Sequence, residues 1–137
     1  MIRYVCGIAF NETVDSVALI RKQKPVYLAG RLTGIGGKIE PGESHINAMV
    51  REFREEAGVL WDNWTLFANM RGAEHEVFFF KAALPYGVFG KIYSVEAEQI
   101  ETYFLKDIPH DQLVSNMRWL IPMALDRHVQ AAWVNVD

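Results

Sequence analysis

The sequence predicts an α/β protein of the α+β kind, in which helices cover the faces of one mixed β-sheet. Its segments follow the order β-rich, helix, β-rich, helix, whereas a doubly wound parallel sheet shows regular alternation. The 137 residues, half of them hydrophobic, suffice for one buried core without disulfides or a structural metal. We therefore expect a single domain over residues 1–137.

Short apolar runs supply the predicted strands. Residues 4–10 and 17–21 are separated by turn-forming residues and predict an opening β-hairpin. Residues 85–87, Pro-Tyr-Gly, are typical of a hairpin loop. Three further runs have strand character: residues 64–70, 74–83 and 101–105.

Residues 31–38 are dense in glycine. Gly34, Gly36 and Gly37 lie in this segment, and Pro41-Gly42 follows it. Glycine permits turns and close approaches that a Cβ atom forbids. The segment therefore predicts a backbone that turns tightly or comes close to a ligand.

Residues 44–57 have the periodicity of an amphipathic helix. Ser44 is a suitable N-cap, and Gly58 stands where a left-handed residue ends a helix. Residues 117–128 predict a second helix, preceded by Asn116 and followed by a short apolar tail.

Composition narrows the class of partner. A net charge of −3 argues against holding polyanions on a broad basic surface, because that mode needs clustered lysine and arginine. The single cysteine, Cys6, lies in an apolar run and predicts a buried, reduced thiol. No segment approaches the roughly eighteen apolar residues of a membrane helix. We expect a cytoplasmic protein whose partner is a small molecule, with no membrane and no nucleic acid.

The first helix carries three carboxylates on one side. At 100° per residue, Glu52, Glu55 and Glu56 fall within an arc of roughly 100°, which we call the acidic arc. An apolar stripe adjoins it, so the carboxylates lie at the rim of the core. Like charges at this spacing oppose helix formation unless something neutralises them.

A hard divalent cation is one solution to this repulsion. Carboxylate oxygens suit Mg²⁺, with Mn²⁺ as a substitute, and Mg²⁺ keeps coordination positions for water and substrate phosphates. The competing interpretation is a solvated helix face balanced by Arg51 and Arg54. The surrounding sequence decides between the two.

Residues 37–59 match the pattern G-x5-E-x7-R-E-U-x-E-E-x-G-U in full, where U is apolar. The fixed positions are Gly37, Glu43, the run 51–52, the run 55–56 and Gly58. This motif resembles the Nudix box, and the chain is similar to the MutT-like members of the Nudix hydrolase superfamily. The resemblance implies an α/β/α sandwich with a mixed sheet, and an enzyme that uses water to cut a diphosphate linkage.

The resemblance also implies a metal site. It assigns Glu55 and Glu56 to the divalent cation, and Glu52 either joins them or acts as general base. The backbone carbonyl of Gly36 completes the metal shell, and Gly37 allows close approach, although a plain turn competes as the role of both glycines.

Supporting roles follow in the same way. Arg51 is expected to orient the catalytic glutamate, Glu43 to support the loop and helix, and Lys38 to meet a phosphate unless it is simply solvated. Some members of the family take a further ligand or base from a loop outside the box. Glu98 is the favoured candidate here, with two alternatives, Glu96 and Glu101.

The substrate is less well specified. Asn116 either caps the second helix or shows its amide to a purine, as an asparagine near the final helix does in MutT-like nucleoside triphosphate diphosphatases. Four residues are expected to line the same cleft: Tyr27, Leu28, Arg31 and Phe80. The leading function is cleavage of a nucleoside triphosphate, with a normal or a modified purine, to the monophosphate and pyrophosphate. An ADP-ribose or nucleotide-sugar pyrophosphatase is the alternative, and a non-catalytic nucleotide sensor is the alternative from another class. A monomer and a homodimer remain equally open.

Overall fold

A computed structural model describes residues 1–136 of the chain. Its helices are α1 (His45–Ala57), α2 (Tyr86–Phe89) and α3 (Met117–Leu125). The strands in this part of the chain are β1 (Ile2–Asn11), β2 (Ser16–Arg21), β3 (Leu32–Thr33), β4 (Ile35–Lys38), β5 (Thr65–Arg71), β6 (His75–Leu84), β7 (Ile100–Phe104) and β8 (Ala132–Asn135). Helical 3₁₀ turns cover Val26–Leu28, Leu105–Asp107 and His110–Gln112.

All the described strands join one mixed sheet around β1. This strand pairs in parallel with β6 along its whole length and antiparallel with β2 and β4. β2 also pairs antiparallel with β3 and β7, while β5 lies between β6 and the parallel edge strand β8. The expected mixed sheet and the opening hairpin are confirmed.

Both faces of the sheet are covered, so its central strands are apolar on both sides. Phe78 and Phe80 of β6 pack with α1, whereas Phe79 between them packs with α3. The α1 core includes Met49 and Phe53, and Phe53 meets Trp64 edge-on at 5.0 Å between ring centroids. Helices on opposite faces make this an α/β/α sandwich, as predicted.

Helix α1 begins and ends as its sequence predicts. The Ser44 hydroxyl accepts a hydrogen bond from the Asn47 amide at 3.1 Å. Gly58 has a φ of 71°, and its N–H donates to the Arg54 carbonyl at 3.0 Å. A Cβ at Gly58 would lie 2.2 Å from the Tyr93 ring, so glycine is required there twice over.

Two predicted elements were wrong. Helix α3 ends at Leu125, three residues short of the expected end, because Asp126 is extended and its carboxylate accepts from the His128 amide at 2.9 Å. The segment at 85–87 is not a hairpin loop: Pro85 starts α2, and its carbonyl accepts from the amides of both Val88 and Phe89 at 2.9 Å.

The glycine-dense segment is a strand where a turn was an open alternative. Gly36 pairs with Cys6 of β1, and a Cβ on Gly36 would lie 1.9 Å from the Val5 carbonyl oxygen. The apolar tail also contributes a strand, β8. Across residues 1–136, none of the helices is long and apolar enough to cross a bilayer.

The β2–β7 pairing yields a prediction about acid stability. Arg21 binds the Glu101 carboxylate with two nitrogens, one at 2.7 Å, and this interaction holds the pKa of Glu101 below its usual value of 4.5. A lowered folded-state pKa stabilises the fold above the unfolded pKa, and this contribution is lost as the pH falls through the folded value. Glu101→Gln should therefore lower the free energy of unfolding at neutral pH, by about 1 kcal/mol for a partly exposed pair.

Urea denaturation at neutral and at acidic pH measures this difference, with Glu12→Gln in the exposed β1–β2 turn as the control. The gap between Glu101→Gln and wild type should shrink below pH 4.5. A gap of equal size at both pH values contradicts the assignment.

Candidate active site

Strand β4 runs directly over the acidic arc of α1. A Cβ on Gly37 would lie 2.5 Å from the Glu52 carboxyl carbon, and the Gly36 amide donates to Glu56 at 3.2 Å. Since both glycines lie within a strand, the plain-turn alternative is wrong. Their missing side chains let the backbone meet the carboxylates.

Arg51 binds two glutamates of the acidic arc and a third glutamate outside it. It binds both oxygens of Glu43 at 2.8 and 2.9 Å, Glu52 at 2.9 Å and Glu55 at 3.2 Å. It also donates to the Lys38 carbonyl at 2.9 Å, which ties α1 to β4. A guanidinium with several fixed donors holds carboxylates in defined rotamers. These contacts have the geometry expected of an orienting arginine and a supporting Glu43.

The three carboxylates of the arc differ in how far the protein compensates their negative charge. Burial, together with the charges of Glu52 and Glu96, raises the pKa of Glu56 to about 8, although Lys22 and the Gly36 amide oppose the shift. Burial also raises the pKa of Glu52, although Arg51 opposes that shift. Glu56 is thus the carboxylate whose negative charge is least compensated by the protein.

The donors fit a hard divalent cation, although they are not preassembled around one. Among residues 1–136, no three His, Cys, Asp or Glu side chains form a ready metal cage. Glu52 and Glu55 turn towards Arg51, while Glu56 turns towards Gly36. The carboxylates and the β4 backbone carbonyls are nevertheless hard oxygen donors. Because burial makes the negative charge of Glu56 unfavourable, a cation that neutralises this charge would bind favourably there.

The three candidates outside the box have different surroundings. Glu98, the favoured one, accepts from the Lys22 ammonium at 3.1 Å and the Gln23 amide at 2.6 Å, and Glu101 is held by Arg21. Glu96 is exposed, and its charge acts on both Glu52 and Glu56. The Glu98 carboxylate is thus engaged by the two residues that follow β2, whereas Glu96 lies next to Val95, whose amide donates to the Glu56 carbonyl at 3.1 Å.

A cleft of about 430 Å³ opens beside Glu56. Gly36 and Gly37 form one wall, so the cleft and the acidic arc are continuous. Tyr27 and Leu28 line the cleft as expected, whereas Phe80 is buried in the α1 core. Other lining residues come from several strands and include Tyr4, Cys6, Lys22, Thr33, His75 and Val77.

Asn116 lies in this cleft and does not cap α3. Its backbone is helical, and its side chain makes no capping hydrogen bond, so the cap alternative is wrong. Its Oδ1 atom is buried and has no hydrogen-bond partner among the described residues. Such an atom carries a desolvation cost that a ligand donor can remove.

Two residues predicted to contact the substrate, Arg31 and Lys38, are not among the residues that line the cleft. Arg31 donates to the Asp111 carbonyl at 2.7 Å and is not among the cleft-lining residues, so it ties two loops together. Lys38 is exposed at the end of β4, adjoining the arc through its carbonyl.

Sequence reasoning missed Lys22 and the cleft position of Cys6. Neither belongs to a motif, and each reaches the cleft through strand pairing. The hydrophobic run around Cys6 correctly indicated burial, which raises the pKa of its thiol to about 12 and leaves it unreactive.

Comparison with known proteins identifies the class. The NUDIX domain family matches residues 2–137. The 8-oxo-dGTP diphosphatase of Escherichia coli (strain K12) is 36% identical over 64 residues, which is 47% of this chain and 49% of that protein. The 8-oxo-dGDP phosphatase NUDT18 of Mus musculus is 33% identical over 99 residues, or 72% of this chain and 30% of that protein. The matches thus span half or less of these relatives.

Solved structures agree at the level of fold. A MutT structure from work on Aliivibrio salmonicida and Vibrio cholerae has a TM-score of 0.75 at 24% identity, covering 90% of this chain and 97% of that one. An ADP-ribose pyrophosphatase of Streptococcus suis has a TM-score of 0.71 at 19% identity, covering 96% and 98%. The chain belongs to the NUDIX domain family, and the resemblance to Nudix hydrolases is confirmed.

The burial of Glu56 yields a prediction for the metal-free protein. A carboxylate whose pKa rises from 4.5 to about 8 on folding destabilises the fold as the pH passes through that interval, and the loss is complete above it. Glu56→Gln should therefore unfold at higher denaturant concentration than wild type above pH 8, and at the same concentration below pH 4.5. Denaturation in chelator tests this.

The same variant should turn over substrate at least about a hundredfold more slowly, because it loses a charge that would hold the cation, and the cation would stabilise the negatively charged transition state. Glu12→Gln, in the distant turn, serves as the control for both measurements. If Glu56→Gln proves less stable at alkaline pH, or turns over normally, the role given to Glu56 is wrong.

Proposed function

We propose that the chain is a Nudix hydrolase that requires Mg²⁺, with Mn²⁺ as a substitute, and cuts a diphosphate linkage in a nucleoside diphosphate derivative. The leading substrate is a nucleoside triphosphate, cleaved to the monophosphate and pyrophosphate. One observation carries the proposal: Glu56 belongs to the acidic arc and also lines the cleft that contains Asn116. A base in the cleft thereby brings its phosphates to the arc.

The proposed ligands for the cation are Glu52, Glu55, Glu56 and the Gly36 carbonyl. A cation bound there supplies charge neutralisation for the diphosphate oxygens and polarises phosphorus. Arg51 keeps Glu52 in place, and Glu52, with its raised pKa, is suited to accept the proton of the attacking water. Water is the proposed nucleophile, since burial raises the pKa of the Cys6 thiol in the cleft to about 12 and keeps it protonated.

A purine fits the far end of the cleft. The unpartnered Oδ1 of Asn116 accepts a base N–H, and the amide nitrogen offers a donor beside it. The two curated relatives bear the names of an 8-oxo-dGTP diphosphatase and an 8-oxo-dGDP phosphatase, which places oxidised guanine nucleotides among the first substrates to try.

An ADP-ribose or nucleotide-sugar pyrophosphatase is the second candidate. His75 and Val77 line both the cleft and a neighbouring cavity of about 320 Å³, which leaves room for a larger group. The fold likeness to an ADP-ribose pyrophosphatase is compatible with this. A non-catalytic sensor fits less well, because all the carboxylates of the box are present. A cytoplasmic location and a monomeric or homodimeric state remain part of the proposal.

Hydrolysis in ¹⁸O-water with Mg²⁺ tests the reaction directly. The panel contains normal and oxidised nucleoside triphosphates, ADP-ribose and nucleotide sugars. We expect a triphosphate to give monophosphate and pyrophosphate, with one ¹⁸O atom in a product phosphate after a single turnover. A nucleotidyl-enzyme intermediate, or no turnover of any compound, contradicts the proposal, while faster cleavage of ADP-ribose favours the second candidate.

Asn116→Leu separates base reading from structure. The change removes an unsatisfied buried oxygen, so thermal stability should hold or rise. Loss of amide contacts to a purine should lower kcat/KM for purine triphosphates by roughly tenfold to a hundredfold, with pyrimidines less affected. Asn63→Leu, at an exposed site outside the cleft, is the control. An unchanged ranking of bases means that Asn116 does not read the base.

A further inference from the structure

Residues 93–99 form a strap between the end of α1 and the end of β2. At its first end, the amides of Tyr93 and Val95 donate to the carbonyls of Ala57 and Glu56, at 3.2 and 3.1 Å. These are carbonyls of the last helical turn, which have no partner within the helix itself. The strap is thus fixed directly beside the acidic arc.

Glu98 fixes the second end. One of its oxygens accepts from the Gln23 amide at 2.6 Å and the other from the Lys22 ammonium at 3.1 Å. The Gln23 side chain returns a hydrogen bond to the Ala97 carbonyl at 3.1 Å, and the Arg21 amide donates to the Gln99 carbonyl at 2.8 Å. The Glu98 side chain is only 16% exposed, so most of its surface is removed from water.

We propose that Glu98 is a positioning residue, which clamps the strap to the end of β2 so that Glu96 is held against the acidic arc as a fourth carboxylate. The inference rests on the proposed metal-dependent function. Glu96 lies between the two anchored ends, next to Val95, whose amide binds the Glu56 carbonyl.

Direct metal binding by Glu98 fits these contacts poorly. Rotation of its carboxylate towards the arc would leave the Gln23 amide and the Lys22 ammonium without the acceptor that they now share. An unpaired, partly buried Lys22 ammonium carries a larger penalty than the exposed Glu96 would meet in turning to a cation.

The clamp matters because ordering a loop costs conformational entropy. A strap held in place before the cation arrives loses little freedom on binding, whereas a released strap must be ordered by the cation itself. Removal of groups that support metal ligands typically weakens metal binding tenfold to a hundredfold. We expect the lower end of that range, since one anchor remains at α1.

The test measures Mn²⁺ affinity by electron paramagnetic resonance, without substrate, in the full chain. The variants are Glu98→Ala, Glu96→Gln and the double variant, with Glu12→Ala as the matched control. Glu98→Gln keeps an acceptor for the Gln23 amide and should fall between wild type and Glu98→Ala. It also gives a measurement if Glu98→Ala does not fold.

If Glu98 acts through Glu96, each single variant should weaken Mn²⁺ binding about tenfold, and the double variant should be no weaker than Glu96→Gln. Multiplied effects in the double variant would mean that Glu98 binds the cation independently, and wild-type affinity in both Glu98 variants would mean that the clamp is irrelevant. Either result overturns the inference.

The same samples separate this inference from the proposed function. If wild type binds Mn²⁺ and hydrolyses a diphosphate while the Glu98 variants keep wild-type affinity, only the positioning role fails. If wild type neither binds Mn²⁺ nor hydrolyses any diphosphate, the proposed function fails, and the inference fails with it.

Discussion

The contacts of Arg51 organise the acidic arc. Glutamates three and four residues apart on a helix repel one another, and a single guanidinium reduces that repulsion by binding Glu52 and Glu55 together with Glu43. The compensation is weakest at Glu56, which is partly buried and lines the cleft. The charge imbalance is therefore concentrated at the point where a cation and a substrate phosphate can both reach it.

The fold places a glycine strand against this charged helix. β4 pairs with the central strand β1 on one side and touches the arc on the other, so any side chain on Gly36 or Gly37 would displace backbone or carboxylate. Sheet pairing and site geometry consequently depend on the same two residues. The strap at residues 93–99 binds the same helix through the last carbonyls of α1.

The cleft keeps a polar group that does not help the folded state. The unpartnered Oδ1 of Asn116 costs about 1 to 3 kcal/mol if it stays unsatisfied. A fold optimised for stability alone would have an apolar residue or a cap at this position. The presence of an unused acceptor beside a 430 Å³ cleft is the kind of local cost that accompanies ligand binding.

The local sequence determined the elements whose causes are local. Ser44 and Gly58 fixed the ends of α1, and the 3.6-residue period put the carboxylates on one side, because capping and helical spacing depend on neighbours a few residues away. The full box pattern could identify the family because it lies within one short segment, residues 37–59. The C-terminal end of α3 and the start of α2 were less predictable, since Asp126 and Pro85 act through particular backbone contacts.

Tertiary structure decided which distant residues share the site. Lys22 and Asn116 reach the cleft, and Glu98 is engaged by Lys22 and Gln23, only because strands and loops far apart in the chain are packed side by side. Arg31 follows the cleft-lining residues Tyr27 and Leu28 closely in the sequence, but its side chain donates to the Asp111 carbonyl and does not line the cleft. Side-chain partners of this kind depend on long-range pairing and burial, which no local periodicity records.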